Sequence, residues 1–376
     1  MEEKATILSI EERLDLVNNV GEEIIADPDQ LKNLLEKKPE IIAYDGFEPS
    51  GKIHIAQGLL RAINVNKLTK AGMKFIFFVA DWHAAANNKF GGNLDVIKKV
   101  GAYFIEVWKA CNMDLKNVQF IWASDIVKDP KYWELVLKIS MATSLKRVIR
   151  CTQIMGRSES DSLQSSQILH PLMQCADIFY LKADVCQLGL DQRKVNMLAR
   201  EVAKELGFRF KPIAIHHHML MGLTKPPEGE LDEIDKKIQR KMSKSNPDSA
   251  VFMLDTRADI ERKIKKAWCQ PNDIKENPIL EYCKYIIFER FSEFEVNRPE
   301  QYGGKALYHS YSELEAAFEN GSLSPVDLKM SVIEYLDKLL KPVREHFETD
   351  QNAKSLAEFV EKEYKKMQAK AKESKK

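Results

Sequence analysis

Ile41-Ile42-Ala43-Tyr44-Asp45-Gly46-Phe47-Glu48-Pro49-Ser50-Gly51-Lys52-Ile53-His54-Ile55-Ala56-Gln57 is the stretch on which the fold turns. Ile41 to Tyr44 is a short apolar run, the pattern of a strand buried on both faces. Ser50 is a good N-cap, and the apolar residues from Ile53 to Leu68 predict a helix that stops at Ala71-Gly72. Working outward, Phe75 to Ala80 reads as a second buried strand, Leu94 to Cys111 as a helix and Val118 to Trp122 as a third strand. Strands of this kind alternating with helices predict an α/β fold on a parallel sheet covered on both faces, with ligands at the C-terminal strand ends.

Leu8 to Leu35 reads as two amphipathic helices, and Tyr132 to Arg150 as a helical interruption. Strand and helix resume at Phe179 to Gln187 and Asp191 to Leu206; from Arg257 the pattern is almost wholly helical. The stretch from Glu361 to Lys376 carries seven lysines and three glutamates; it reads as a frayed helix or a disordered tail, with solvated charge as the favoured role. A chain of 376 residues can bury more than one core. The expected division is a parallel-sheet domain over 1–250, with a helical insertion around 125–175, and a helical domain over 251–376.

Lys plus Arg total 57 against 56 for Asp plus Glu, so any nucleic-acid contact must be local rather than a general attraction. Six cysteines without a CxxC pair suggest reduced thiols in the cytosol. The N-terminus is mixed in charge, without the features of a signal or transit peptide, and the apolar runs are too short to span a bilayer.

Gly46 to Lys52 fits the first seven positions of a P-loop, but Ile53 stands where Ser or Thr would hold magnesium, and Pro49 removes a backbone donor. What remains is a glycine turn that feeds a helix start bearing Lys52, His54 and Gln57, all able to reach an anion. Lys241-Met242-Ser243-Lys244-Ser245 places two ammonium groups on a short polar turn, suited to seizing and releasing a polyphosphate. His216-His217-His218 suggests a metal cluster, yet neighbours on a strand point to opposite faces; no metal site is expected.

His54-Ile55-Ala56-Gln57 resembles the His-Ile-Gly-His motif of class I aminoacyl-tRNA synthetases, and Lys241 to Ser245 matches their Lys-Met-Ser-Lys-Ser motif. Together with Tyr44-x-Gly46-Phe47-Glu48-Pro49-Ser50-Gly51, Pro171-x-Met173-Gln174-x-x-Asp177 and Gly189-x-Asp191-Gln192-Arg193-Lys194, they make residues 8 to 347 similar to the tyrosyl-tRNA synthetases of archaea and eukaryotes. The resemblance implies a Rossmann-like catalytic domain, a C-terminal all-helical anticodon-binding domain and a cytoplasmic homodimer. ATP with Mg2+, L-tyrosine and tRNA(Tyr) are the implied ligands.

The resemblance also assigns residues. His54 and Gln57, with Lys241 and Lys244, fall in catalytic positions; Gly46, Ala56, Gly189, Asp191, Met242 and Ser243 fall around ATP. Tyr44 and Asp177 match the residues that bind the phenol, and Gln174 and Gln192 those at the amino end, where His170 replaces a usual Tyr. His83 matches a histidine of this subgroup and reads as a pocket wall. Arg193 and Lys194 are candidate acceptor-stem contacts, as are Lys146, Arg147 and Arg150. Tyr302 and Asp327 resemble the anticodon site, with Ser324 where a His can occur. Ala56 and Gln57 depart from the motif's Gly and second His. The competing readings are an RNA-binding paralogue without activity and a P-loop NTPase.

Overall fold

The apolar run around Tyr44 becomes the middle of a six-stranded sheet. Its strands are β1 (Glu23–Ile25), β2 (Ile41–Phe47), β3 (Met73–Val79), β4 (Val118–Trp122), β5 (Val185–Gly189) and β6 (Ile213–His217), in the order β1-β6-β5-β2-β3-β4. All pairings are parallel except that of β1 with β6. Phe75 to Val79 and Val185 to Gly189 are buried at every position, as strands covered on both faces must be. The structure is a computed structural model that describes residues 8–156, 162–225, 240–242 and 246–373, with side chains to 369.

The chain divides into two units, one of Met1–Ser50, Asn64–Ile105 and Asp114–His218, the other of Gly51–Ile63, Glu106–Met113 and Met219–Lys376. The first unit holds the whole sheet. The helices that follow in the sequence are α1 (Ile10–Asn18), α2 (Gln30–Lys37), α3 (Leu59–Lys70), α4 (Asp81–Ala86), α5 (Leu94–Ala110), α6 (Ala123–Ile126), α7 (Pro130–Met141), α8 (Leu145–Cys151), α9 (Ser165–Tyr180) and α10 (Arg193–Val202). One sheet face presents Tyr44, Phe78, Cys186 and Leu188 to buried residues of α7 to α10, including Val136, Val148, Met173, Ala176 and Leu198. On the other, Phe77 stacks on Phe47 at 5.6 Å and meets the tilted rings of Phe75 and Phe120 at 5.1 and 5.8 Å. Strand order reverses between β2 and β5, which pair directly, so their C-terminal ends flank the crevice where such sheets receive ligands.

Among the described residues after Met219, the second unit includes the α-helices α11 (Arg257–Lys266), α12 (Pro278–Tyr282), α13 (Tyr311–Glu319), α14 (Pro325–Thr349) and α15 (Gln351–Glu373). A two-stranded antiparallel pair, Phe294–Val296 with Ala306–Tyr308, adds to the expected helices.

Four local expectations are corrected. The helix after Ser50 begins at Leu59, not near Ile53, because residues 53 to 55 bond outward: Ile55 N donates to Val251 O (2.9 Å) and Met253 N to Ile53 O (2.9 Å). Gly51, at φ +123°, turns the chain away from a helical start. Phe179 and Tyr180 end α9 instead of opening a strand, and β1 separates the two N-terminal helices. Finally, residues from Glu361 continue α15 with Tyr364 buried, so this stretch is not wholly solvated.

Candidate active site

In the first unit, β2 and α9 bring Tyr44, Gly46, His170, Gln174 and Asp177 together around buried polar atoms. The Tyr44 hydroxyl is buried without a hydrogen-bond partner among the described residues. Burial and then the Asp177 carboxylate push its pKa well above the usual range, so it stays a neutral donor. A Cβ on Gly46 would lie 2.9 Å from this hydroxyl, which explains the glycine as a steric requirement of the pocket.

Asp177 is fully buried, and its two oxygens have different neighbours. Oδ1 accepts a hydrogen bond from the Tyr132 hydroxyl at 2.8 Å. Oδ2 lies 2.9 Å from His83 Nε2, but the ring N–H is not aligned on it, and neither atom makes a geometrically sound hydrogen bond. Burial alone would lower the His83 pKa; Asp177, aided by Glu48 and Asp81, reverses this and raises it. Tyr44 O–H and Asp177 Oδ2 therefore form a buried donor and acceptor suited to a ligand hydroxyl.

His170 Nδ1 donates to the His83 carbonyl at 3.3 Å and lies 3.5 Å from Glu48 Oε1. Burial lowers its pKa to about 4, so the ring is neutral at pH 7. Asn87 Nδ2 donates to both Glu48 oxygens at 3.1 Å. Gln174 Nε2 donates to Gln192 Oε1 at 3.0 Å, and Gln192 Nε2 to Ile154 O at 3.2 Å, giving a fixed amide pair beside the turn after β5. Gly189 ends that strand, buried, and Asp191 follows in the turn, half-buried.

Sequence reasoning missed Tyr132, since its partner is 45 residues away and no local motif marks it. The role of Glu48 was also missed, although it stands inside the Gly46 to Gly51 motif. His83, read as a pocket wall, stands 2.9 Å from the acceptor atom Asp177 Oδ2.

In the second unit, His54 is buried and pairs with Phe252 in an isolated antiparallel bridge. Gln57 N and Gly58 N both donate to the His54 carbonyl, at 2.9 and 3.0 Å, closing a turn that includes Ala56. Trp108 Nε1 fastens this turn by donating to Gln57 O at 2.8 Å. Lys241 bridges Met221, and Met242 is buried. Ser243 and Lys244 lie outside the described residues.

Other candidates separate from these groups. Arg193 donates to both oxygens of Glu23, at 3.0 and 2.9 Å, and Arg147 to Glu201 at 2.9 Å, so both guanidinium groups are already engaged. Lys146 and Arg150 are exposed; Lys194 is half-buried. His216, His217 and His218 each have a different neighbour, Glu23, Gln187 and Glu22 respectively. Among the described residues no three His, Cys, Asp or Glu converge to hold a metal ion. Tyr302 is 66 % exposed before two glycines at positive φ, while Asp327 accepts from Ser324 Oγ at 2.7 Å in the first turn of α14.

Residues 36–341 match the family of tRNA synthetases class I (W and Y). "Tyrosine--tRNA ligase 1, cytoplasmic" of Arabidopsis thaliana is 51% identical over 353 residues, covering 93% of this chain and 88% of the relative. The chain belongs to the class I tyrosyl-tRNA synthetases. In this family a solved structure from Pyrococcus horikoshii, complexed with L-tyrosine, superposes with a TM-score of 0.87 at 39% identity, covering 93% of this chain and all (100%) of the other. The Leishmania major synthetase in complex with tyrosinol gives a TM-score of 0.85 at 44% identity; it covers 95% of this chain, which spans 61% of that longer one.

Proposed function

We propose that the chain is a tyrosine-tRNA ligase, which activates tyrosine with ATP and passes it to tRNA(Tyr). The observation that carries this reading is the buried pair of Tyr44 O–H and Asp177 Oδ2, each lacking an aligned partner. A tyrosine phenol can accept from the first and donate to the second. Phenylalanine would leave both unpaired at a cost of about 1–3 kcal/mol for each buried group, more for the carboxylate. Gln174 and Gln192 take the substrate's amino end, with neutral His170 as a further contact there.

The substrate carboxylate attacks the α-phosphorus, pyrophosphate leaves, and a ribose hydroxyl of the tRNA end then displaces AMP. No enzyme nucleophile is needed, so the protein acts by positioning and by placing positive charge on phosphate oxygens. His54 serves the α-phosphate side, and Lys241 and Lys244 the pyrophosphate. Gln57 Oε1, buried without a hydrogen-bond partner among the described residues, is an acceptor for the nucleotide. Gly46, Ala56, Met242 and Ser243 border the ATP, and Asp191, after Gly189, accepts from its ribose. Magnesium enters on the triphosphate as part of the substrate.

Tyr302 and Asp327 are assigned to anticodon stacking and hydrogen bonding. Lys194 and Arg193 are assigned to the acceptor stem, Arg193 by exchanging Glu23 for phosphate. A homodimer fits the exposed apolar residues Leu137 (61 %), Met141 (79 %) and Leu145 (63 %) on α7 and α8, and the assigned cytoplasmic location follows the name of the Arabidopsis relative. Aminoacylation of a tRNA(Tyr) transcript with labelled tyrosine tests the proposal: charging is expected, and retention of tRNA without charging would favour the inactive RNA-binding paralogue.

A further inference from the structure

Helix α15 packs on the turn that carries His54. Tyr364 is buried and meets the Phe252 ring edge-on, with centroids 5.9 Å apart. Phe252 is the residue whose backbone bridges His54. Lys52 Nζ lies 5.1 Å from the Tyr364 centroid and 5.5 Å from that of Phe252, and meets Glu361 Oε2 at 2.5 Å. A Cβ on Gly51 would touch Tyr364 at 3.5 Å. One helix thus contacts Gly51, Lys52 and the bridge partner of His54.

We propose that Glu361 and Tyr364 are positioning residues for the activation step, fixing the Gly51 to His54 turn so that His54 meets the nucleotide phosphates in a set place. The turn needs such support because it belongs to no helix and includes a glycine at φ +123°. Lys52, expected from sequence to reach an anion, is held instead between a carboxylate and two aromatic faces. Its cationic head serves as the clasp between turn and helix. Phe252 is also steadied by Lys263, whose Nζ lies 4.5 Å from the ring centroid and donates to Asp255 and the Ala250 carbonyl.

This inference rests on the tyrosine-activation reading above, and its test keeps the two apart. Pyrophosphate exchange is measured on the full chain with ATP and tyrosine varied separately, for the unaltered protein, Tyr364→Ala, Tyr364→Phe and Glu361→Gln. Tyr364→Ala is expected to raise KM for ATP or lower kcat by about fivefold or more, within the roughly 100-fold that a misplaced positioning group costs, with KM for tyrosine held within about twofold. Tyr364→Phe restores the values, because the ring makes the contacts to Phe252, Lys52 and Gly51, whereas the hydroxyl bonds to Gln368 on its own helix. Glu361→Gln gives a smaller change of the same kind and serves if Tyr364→Ala fails to fold. Equal movement of both KM values, or no change in folded variants, overturns the proposal. Failure of the unaltered protein to exchange with tyrosine defeats the activation reading instead; calorimetric titration with ATP then decides, an unchanged Kd in Tyr364→Ala overturning the clasp and a weakened one supporting it.

Discussion

Replacing Tyr132 by Phe removes one hydroxyl and keeps the ring that packs against Trp133 and Tyr180 at 5.5 and 5.6 Å. The hydroxyl is the donor to Asp177 Oδ1, at 2.8 Å inside a fully buried site. Hydrogen bonds to charged groups contribute about 1.5–3 kcal/mol, and a buried carboxylate robbed of one also loses its fixed direction. If this loss falls on phenol binding, it corresponds to a drop of about 10- to 150-fold in kcat/KM for tyrosine. Phenylalanine offers no hydroxyl to Asp177, so its kcat/KM should change little, and the tyrosine-to-phenylalanine ratio should fall by nearly the whole amount. The assay is amino-acid-dependent pyrophosphate exchange, with circular dichroism to verify folding. A folded Tyr132→Phe protein whose ratio stays within about twofold of the original would refute the reasoning, since Asp177 would then be aimed by other contacts.

Three further outcomes are expected. Below about pH 6.5 an unfolded histidine takes a proton that buried His170, with its pKa near 4, refuses; its contribution is therefore present above 6.5 and is lost on descent towards 4, by about 3 kcal/mol at most. Urea denaturation of His170→Gln against the original across this range should show a shallower acid loss; His83, raised instead, contributes with the opposite sign and is common to both proteins. Gly46→Ala puts a methyl 2.9 Å from the Tyr44 hydroxyl, and overpacking of this kind costs about 1–3 kcal/mol, so KM for tyrosine should rise about tenfold in exchange kinetics. Tyr302→Ala removes an exposed ring whose stack on a base contributes about 1–3 kcal/mol, and should raise KM for tRNA roughly tenfold in aminoacylation; a loss of the same size in pyrophosphate exchange would contradict the assignment.

Where a strand is covered on both faces, its continuous apolar run made it readable: the runs at 41–44, 75–80 and 118–122 fall on β2, β3 and β4. Local signals failed where a distant segment supplies the hydrogen bonds. Residues 53 to 55 look helical by spacing but bond to residues 251 to 253, some two hundred positions away in the sequence. Phe179 and Tyr180 read as strand by composition, yet belong to the last turn of a helix whose buried core includes Asp177. Tyr44, Gln174, Asp177 and Gln192 were legible because their motifs carry them; Tyr132 and the His83 contact to Asp177 were not, since both arise only when α4, α7 and α9 pack. The charge-rich stretch after Glu361 concealed its one buried aromatic, Tyr364, among lysines.

Pyrophosphate exchange with tyrosine, phenylalanine and tryptophan offered separately, with Lys244→Ala as control, tests the central claim most directly. The account predicts exchange with tyrosine alone, lost in the Lys244 variant. Exchange with tryptophan would contradict the roles given to Tyr44 and Asp177, and exchange with none of the three would contradict the activation step itself.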